Sequence, residues 1–302
     1  MNHIQGDSLK TAFIFLTLFV ALRANALPIN SLNFSTPLDT LGVNVFPDAF
    51  TPDFDFEGIV ALNNCSGSLV RFEDSADSEN AMVLTNGHCM EGGGVFGGFI
   101  KPGKHYLAKK STRSFTLLKK DASSAGRVSA TEIMYGTMTG TDMALYKLAK
   151  TYSEITSEFN LPALTLSREK AAAQDPIEVI SGYWKRGYKC GHDGEVFKLK
   201  EEGYTWNNSI RYSQPGCETI GGTSGSPVLA AGTKTVIGVN NTGNESGQEC
   251  TMNNPCEVDE DGKVFFEKGK SYGQQINLIY GCLGADHKVD LTLETCKLPR
   301  EE

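Results

Sequence analysis

The sequence has no excess of positive charge, no CxxC pair, and no membrane-length apolar run after its first 26 residues. Among 302 residues, 28 Lys and Arg stand against 36 Asp and Glu, so the formal net charge is −8. That balance offers no basic surface to a polyanion and argues against nucleic-acid binding. Without a CxxC motif, a cysteine-based zinc site is disfavoured, and we expect neither a metal nor a cofactor.

The one strongly apolar run lies at the N-terminus and is too short to span a bilayer. Residues 11–22, TAFIFLTLFVAL, are followed at once by Arg23, whereas a spanning helix needs about 20 apolar residues. Lys10 precedes the run and small residues end at Ala26, which is typical of a secretory signal peptide. The sequence therefore predicts a signal peptide over residues 1–26 and a secreted protein, extracellular or periplasmic, without stable membrane association. A membrane anchor is the alternative.

The predicted export bears on the oxidation state of the eight cysteines. In an oxidising compartment an even number of cysteines is expected to form disulfides, and pairing between sequence neighbours is the simplest hypothesis. The cysteines lie at Cys65, Cys89, Cys190, Cys217, Cys250, Cys256, Cys282 and Cys296.

Short runs of β-branched and aliphatic residues, separated by Gly, Asn, Asp and Ser, predict an all-β protein. Two segments near mid-chain, 152–159 and 167–173, have helical potential and suggest a connection between two β domains. The predicted strands cover 58–62, 67–72, 81–85, 143–148, 177–180 and 235–239. The predicted organisation after the signal peptide is an N-terminal extension over 27–56, a first domain over 57–150, a linker over 151–175, and a second domain with the C-terminal tail over 176–302.

Three separate segments carry residue types that act together in nucleophilic catalysis. Ser224 lies in a glycine-lined turn, GGTSGSP, in which a hydroxyl projects outward beside backbone N–H groups. His88 ends an apolar strand in TNGHC and is a candidate base. Asp142, in GTDMAL, is a candidate for the carboxylate that orients an imidazole. Taken singly, each also fits a structural role, as a turn residue, a strand-end histidine or a strand-entry aspartate.

In this order along the chain, the three segments resemble the chymotrypsin-like (trypsin-fold) serine peptidases. TNGHC matches the T-A-A-H-C of that family, DMAL matches D-I-A-L, and GTSGSP matches G-D-S-G-G-P. The resemblance covers roughly residues 58–280. It implies two six-stranded antiparallel β-barrels with the active site between them, and His88 and Asp142 in the first barrel. It also implies a secreted serine endopeptidase whose nucleophile is Ser224.

The same resemblance implies two further features of the site. The segment CSGSL at 65–69 resembles the C-G-G-S-L of the family, in which the cysteine bridges to the one after the histidine, so Cys65 is expected to pair with Cys89. The backbone N–H groups of Gly222 and Ser224 are expected to form the oxyanion hole.

The sequence also departs from the family in ways that bear on activation and specificity. Thr223 stands where animal trypsins have an aspartate that binds a newly cut N-terminus, so activation by that route is not expected. The GxSGSP motif and Thr219 are similar to the bacterial-type glutamyl endopeptidase branch, but Asn240 replaces the pocket histidine of that branch. Glu218 is a candidate substrate-binding carboxylate that would favour Lys or Arg, but an exposed turn carboxylate is the preferred interpretation. We therefore expect no strong selectivity for glutamate.

The expected partners are protein or peptide substrates, and the sequence leaves the oligomeric state open. A second hypothesis from another class is a catalytically inactive protein of the protease fold that acts by binding, because a fold does not fix a function.

Overall fold

The computed structural model describes residues 53–91 and 98–300. The predicted signal peptide and most of the N-terminal extension lie outside these ranges. Of the extension, residues 53–56 are described, and Phe56 is buried in the core.

Strands dominate the described residues, as the sequence predicts. In chain order the elements are β1 (Ile59–Ala61), β2 (Ser66–Arg71), β3 (Asn80–Thr85), β4 (His105–Lys110), β5 (Ser114–Leu118), β6 (Ser124–Thr137), β7 (Met143–Thr151), α1 (Tyr152–Phe159), β8 (Leu164–Leu166), β9 (Pro176–Ser181), β10 (Arg186–Glu201), β11 (Tyr204–Tyr212), β12 (Pro227–Ala230), β13 (Thr235–Gly243), β14 (Cys256–Val258), β15 (Val264–Phe265), β16 (Ser271–Gln275) and the 3₁₀ segments Asn277–Cys282 and Ala285–His287.

The first part of the chain forms a closed, six-stranded antiparallel barrel. Its strands pair in the order β1, β5, β6, β7, β3 and β2, and β2 pairs again with β1. Alternation along β3 shows how the barrel is filled, because successive side chains of a strand point to opposite faces. Ala81 and Val83 lie in the cluster that fills the barrel, whereas Met82 and Leu84 lie in a second cluster with residues of the later strands.

The later strands form a second antiparallel series. β12 pairs with β9 and β13, β10 pairs with β9 and β11, and β16 pairs with β11 and β13. The short strand β8 connects the two series through parallel pairing with β2 and with β13. One buried apolar cluster contains residues of the barrel strands and of the later strands, among them Val70, Leu84, Ile180 and Val236.

The predicted helix over 152–159 is present, and its start follows from the sequence. Thr151 and Glu154 form a reciprocal capping box, in which each side chain accepts a hydrogen bond from the backbone N–H of the other residue. The second predicted helix, over 167–173, is wrong. Ser167 donates its N–H to Val236 of β13, and the N–H of Glu169 is bonded to the Ser167 hydroxyl, so these groups do not start a helix. No helix among the described residues is long and apolar enough to cross a membrane.

Four disulfides join neighbouring cysteines in the sequence, and all eight cysteines are used. The pairs are Cys65–Cys89, Cys190–Cys217, Cys250–Cys256 and Cys282–Cys296, the four expected from pairing between sequence neighbours. The first closes a loop within the barrel between the start of β2 and the residue after His88.

The disulfides differ in loop length, and we expect their contributions to stability to follow that order. The bridge Cys65–Cys89 spans 24 residues and Cys250–Cys256 spans 6. Chain entropy gives about 3.5 kcal/mol for the first loop and about 2 kcal/mol for the second. Urea unfolding of the two double alanine variants measures the difference. A larger loss for the Cys250–Cys256 pair would contradict the entropic explanation.

Candidate active site

The loop after β3 brings His88 directly onto Asp142. The His88 Nδ1 lies 2.7 Å from Oδ2 of Asp142, and the backbone N–H of His88 donates to Oδ1 at 3.0 Å. The approach requires a glycine before the histidine, because a Cβ at Gly87 would lie 1.9 Å from the carbonyl oxygen of Thr137. The carboxylate thus orients the imidazole through Nδ1 and leaves Nε2 for other partners.

The His88–Asp142 pair is buried unequally. The Asp142 side chain has no exposed surface, whereas 21% of the His88 side chain is exposed. Burial alone lowers the pKa of His88, but the charge of Asp142, its hydrogen bond and the charge of Glu201 raise this pKa above its ordinary value of 6.5. Asn86 further fixes Asp142 by donating its side-chain N–H to the Asp142 backbone carbonyl at 2.8 Å.

Ser224 is held in its turn by backbone hydrogen bonds to both neighbouring segments. The N–H of Ser66 in β2 donates to the carbonyl of Ser224 at 2.8 Å, and the N–H of Gly225 donates to the carbonyl of Asn240 at 2.9 Å. The hydroxyl of Ser224 donates to the carbonyl of Asn241 at 3.1 Å rather than to His88. A hydrogen bond from Ser224 to His88 would therefore first require the hydroxyl to leave the carbonyl of Asn241.

The turn before Ser224 has the geometry of a type II turn. The N–H of Thr223 donates to the carbonyl of Ile220 at 3.0 Å, and Gly222 has φ of 88°. A positive φ at the third turn position distinguishes type II from type I, in which the central peptide is reversed. The orientation of the peptide between Gly221 and Gly222 is thus defined.

One cleft brings together most of the residues that the sequence predicts. His88, Asp142, Ser224, Thr219 and Asn240 all line it. Glu218 does not: this residue is exposed, and its carboxylate accepts a hydrogen bond from the backbone N–H of Gly216 at 3.0 Å. This exposure and this hydrogen bond are those of a turn carboxylate.

The cleft also contains residues that sequence reasoning missed, chiefly Phe99, Glu201, Tyr204, Trp206 and Met252. Glu201 ends β10 and Tyr204 begins β11, so the tip of this long hairpin reaches the site. No motif marks these positions. The only sequence signal is a charged and aromatic turn, EEGY, in an otherwise strand-rich segment.

The described residues near His88 do not provide a metal site. Cys65, His88 and Cys89 are the one group of described residues whose potential ligand atoms lie within 4.8 Å of one another. The two sulfur atoms of this group are joined in a disulfide, so they are not thiolates.

A family model, the trypsin-like peptidase domain, matches residues 65–239. The chain belongs to the trypsin-like peptidase domain family. No curated protein matches this sequence. Among solved structures, this trypsin-like domain is similar to the MamO protease domain of Magnetospirillum magneticum, with 14% identity over 77% of this chain and 98% of that one and a TM-score of 0.45. It is also similar to Cellulomonas bogoriensis chymotrypsin, with 15% identity over 75% and 92% of the two chains and a TM-score of 0.39.

The contact between His88 and Asp142 in this trypsin-like domain should affect the titration of the histidine. We expect His88 to titrate above 6.5, and Asp142→Asn to lower this pKa because the negative charge beside the imidazolium is removed. An NMR titration of the histidine Cε1 protons measures both values, and the resonance that is absent from His88→Gln identifies His88. An unchanged midpoint in Asp142→Asn would show that the two side chains are not paired in solution.

Proposed function

We propose that the chain is a secreted serine endopeptidase that cleaves protein or peptide substrates with Ser224, His88 and Asp142. The observation that carries the proposal is the His88–Asp142 pair in one cleft with Ser224, inside a trypsin-like peptidase domain. The four disulfides and the N-terminal apolar run support export to an oxidising compartment.

The proposed reaction assigns a role to each side chain. The Ser224 Oγ attacks the carbonyl carbon of the scissile bond, and its proton moves to Nε2 of His88. The C–N bond then breaks, the imidazolium gives its proton to the leaving amine, and an acyl-enzyme remains. Water, deprotonated by His88, hydrolyses this ester and restores the serine. Asp142 fixes the histidine tautomer and stabilises the imidazolium throughout.

The negative oxygen that forms in each half of the reaction needs donors, and we propose the N–H groups of Gly222 and Ser224. The type II turn supports this role for Gly222, because it fixes the orientation of the peptide that carries its N–H. Loss of one such donor costs about 2.7–4 kcal/mol of transition-state stabilisation.

The proposal also includes a second barrel and the domain boundaries that follow from it. The strands β9, β10, β11, β12, β13 and β16 pair with one another, which supports a second barrel. The site would then lie between two barrels, as the family resemblance implies. The domain boundaries would then be 57–150 and 176–302, with α1 and β8 in the linker over 151–175. His88 and Asp142 come from the first part of the chain and Ser224 from the second.

For specificity, we propose a preference for Lys or Arg beside the scissile bond, with Glu201 as the determinant. Glu201, Glu202 and Glu245 line the cleft, and no described lining residue is Lys or Arg. Glu201 is only 6% exposed, and burial raises its pKa, which disfavours the charged form. A Lys or Arg side chain of the substrate beside it would stabilise that charged form. Asn240 adds a buried side-chain oxygen for which the described residues provide no donor.

The carboxylate of Glu201 keeps its position through two hydrogen bonds. Oε2 accepts from the hydroxyl of Thr242 at 2.6 Å, and Oε1 accepts from the N–H of Asn253 at 2.9 Å. Each oxygen retains a lone pair for a further donor. Thr219, the position similar to the glutamyl endopeptidase branch, offers a single hydroxyl, too little to compensate a buried substrate carboxylate.

The nucleophile is tested with a fluorophosphonate probe, which labels an activated serine. We expect the processed wild type to be labelled and Ser224→Ala to remain unlabelled. Ser224→Ala and His88→Ala should each abolish nearly all peptide turnover, and the double variant should be scarcely worse, because the three residues act as a unit. A folded wild type that neither takes the label nor cleaves peptides would favour the binding-protein hypothesis.

The specificity proposal is tested by profiling a peptide library with Glu201→Gln. We expect the preference for Lys or Arg over neutral residues to fall by about tenfold, which corresponds to about 1.4 kcal/mol. Glu218→Gln is the matched control, since this carboxylate lies outside the cleft, and it should leave the profile unchanged. A strong glutamate preference in the wild type, or a larger effect of Glu218→Gln, would contradict the assignment.

A further inference from the structure

The peptide between Gly221 and Gly222 has no side chain of its own to fix its orientation. The hydrogen bond from Thr223 to Ile220 closes both type I and type II turns, which differ by a flip of this central peptide. Two adjacent glycines adopt either form at little cost. A contact from outside the turn must therefore select the observed form.

Trp184 provides that contact. Its indole Nε1 donates to the carbonyl oxygen of Gly221 at 2.7 Å. The residue follows β9, and its backbone N–H donates to the buried hydroxyl of Ser181 at 3.2 Å. Its ring contacts Tyr183 edge to face, with 4.9 Å between centroids. A hydrogen bond and a ring contact thus restrain the indole, although 48% of Trp184 is exposed.

A second hydrogen bond holds the next carbonyl of the same turn. The hydroxyl of Ser66 donates to the carbonyl of Gly222 at 3.1 Å and also accepts from the backbone N–H of Tyr183 at 3.1 Å. Ser66 stands where the family motif has a glycine. The segment that carries Trp184 and the turn that precedes Ser224 are thus bonded to one buried serine.

We propose that Trp184 is a positioning residue that keeps the N–H of Gly222 directed at the oxyanion site. In a planar trans peptide the C=O and the following N–H point in opposite directions. Holding the carbonyl of Gly221 against the indole therefore turns the Gly222 N–H to the opposite side of the peptide, away from the indole. This inference rests on the proposed serine endopeptidase function, and Trp184 itself touches no reacting atom.

The indole also packs on the turn, so the effect of its N–H donor must be measured separately from the effect of its size. A Cβ on Gly222 would lie 2.9 Å from Nε1 of Trp184 and 2.9 Å from Cδ1 of Tyr183. Trp184→Phe keeps an aromatic ring and removes the donor. Trp184→Gln removes the ring and keeps an N–H donor on a side chain of similar reach.

The expected result is a selective loss of kcat. Trp184→Phe should lower kcat about tenfold, the effect of one hydrogen bond, and leave KM within about twofold. Trp184→Gln should retain more activity than Trp184→Phe. Phe197→Leu, which shortens an exposed aromatic side chain of β10 outside the cleft, should match the wild type. Thermal unfolding checks that all variants fold.

A peptide boronic acid gives a readout that does not depend on turnover, because the serine adds to its boron and forms a tetrahedral boronate with an oxygen in the oxyanion position. Its affinity should fall in Trp184→Phe by the same factor as kcat, while the affinity of a non-covalent product peptide stays unchanged. A rise in KM without a loss of kcat, or equal losses in both Trp184 variants, would overturn the positioning role and leave the peptidase proposal intact. A folded wild type without hydrolysis and without a boronate adduct would refute the peptidase function itself.

Discussion

A carboxylate without solvent contact is stable as an anion only when donors surround it, and this requirement organises the site of this protein. Asp142 accepts hydrogen bonds from both the backbone and the side chain of His88. The strands that carry the two residues are neighbours, since Thr85 of β3 pairs with Ala144 of β7. The imidazole orientation is therefore a consequence of satisfying one buried charge, and the barrel supplies the two chain segments at the right separation.

A short covalent and hydrogen-bonded path then connects the histidine to the serine. Cys89, which follows His88, is joined to Cys65, and the next residue, Ser66, donates its N–H to the carbonyl of Ser224. The disulfide thus restrains two turns from distant parts of the sequence relative to each other. The Ser66 hydroxyl also donates to the carbonyl of Gly222, so one residue of β2 contacts both Ser224, the proposed nucleophile, and the turn that precedes it.

The turn before Ser224 is less restrained than these bonded segments, because it contains two adjacent glycines. The two glycines before Thr223 allow a close approach of backbone to substrate, but they do not choose the direction of their shared peptide. Direction comes from Trp184, a residue of the neighbouring strand end. The proposed determinant of charge selectivity likewise lies outside the motif, because Glu201 is at the tip of a hairpin whose sequence carries no catalytic pattern.

The sequence by itself determined the strand-rich class, the cysteine pairs and the three catalytic candidates. These features depend on local periodicity, on neighbouring positions, or on motifs of a few residues in a fixed order. It failed at 167–173, where pairing with β13 overrides helical propensity. At Glu218 the sequence left two interpretations open, and the hydrogen bond of its carboxylate to a nearby N–H is that of a turn residue. Only the tertiary structure decided that Glu201 and Trp184 meet the site. Their contacts join segments distant in sequence, and such contacts are set by strand pairing and packing, which leave no local pattern.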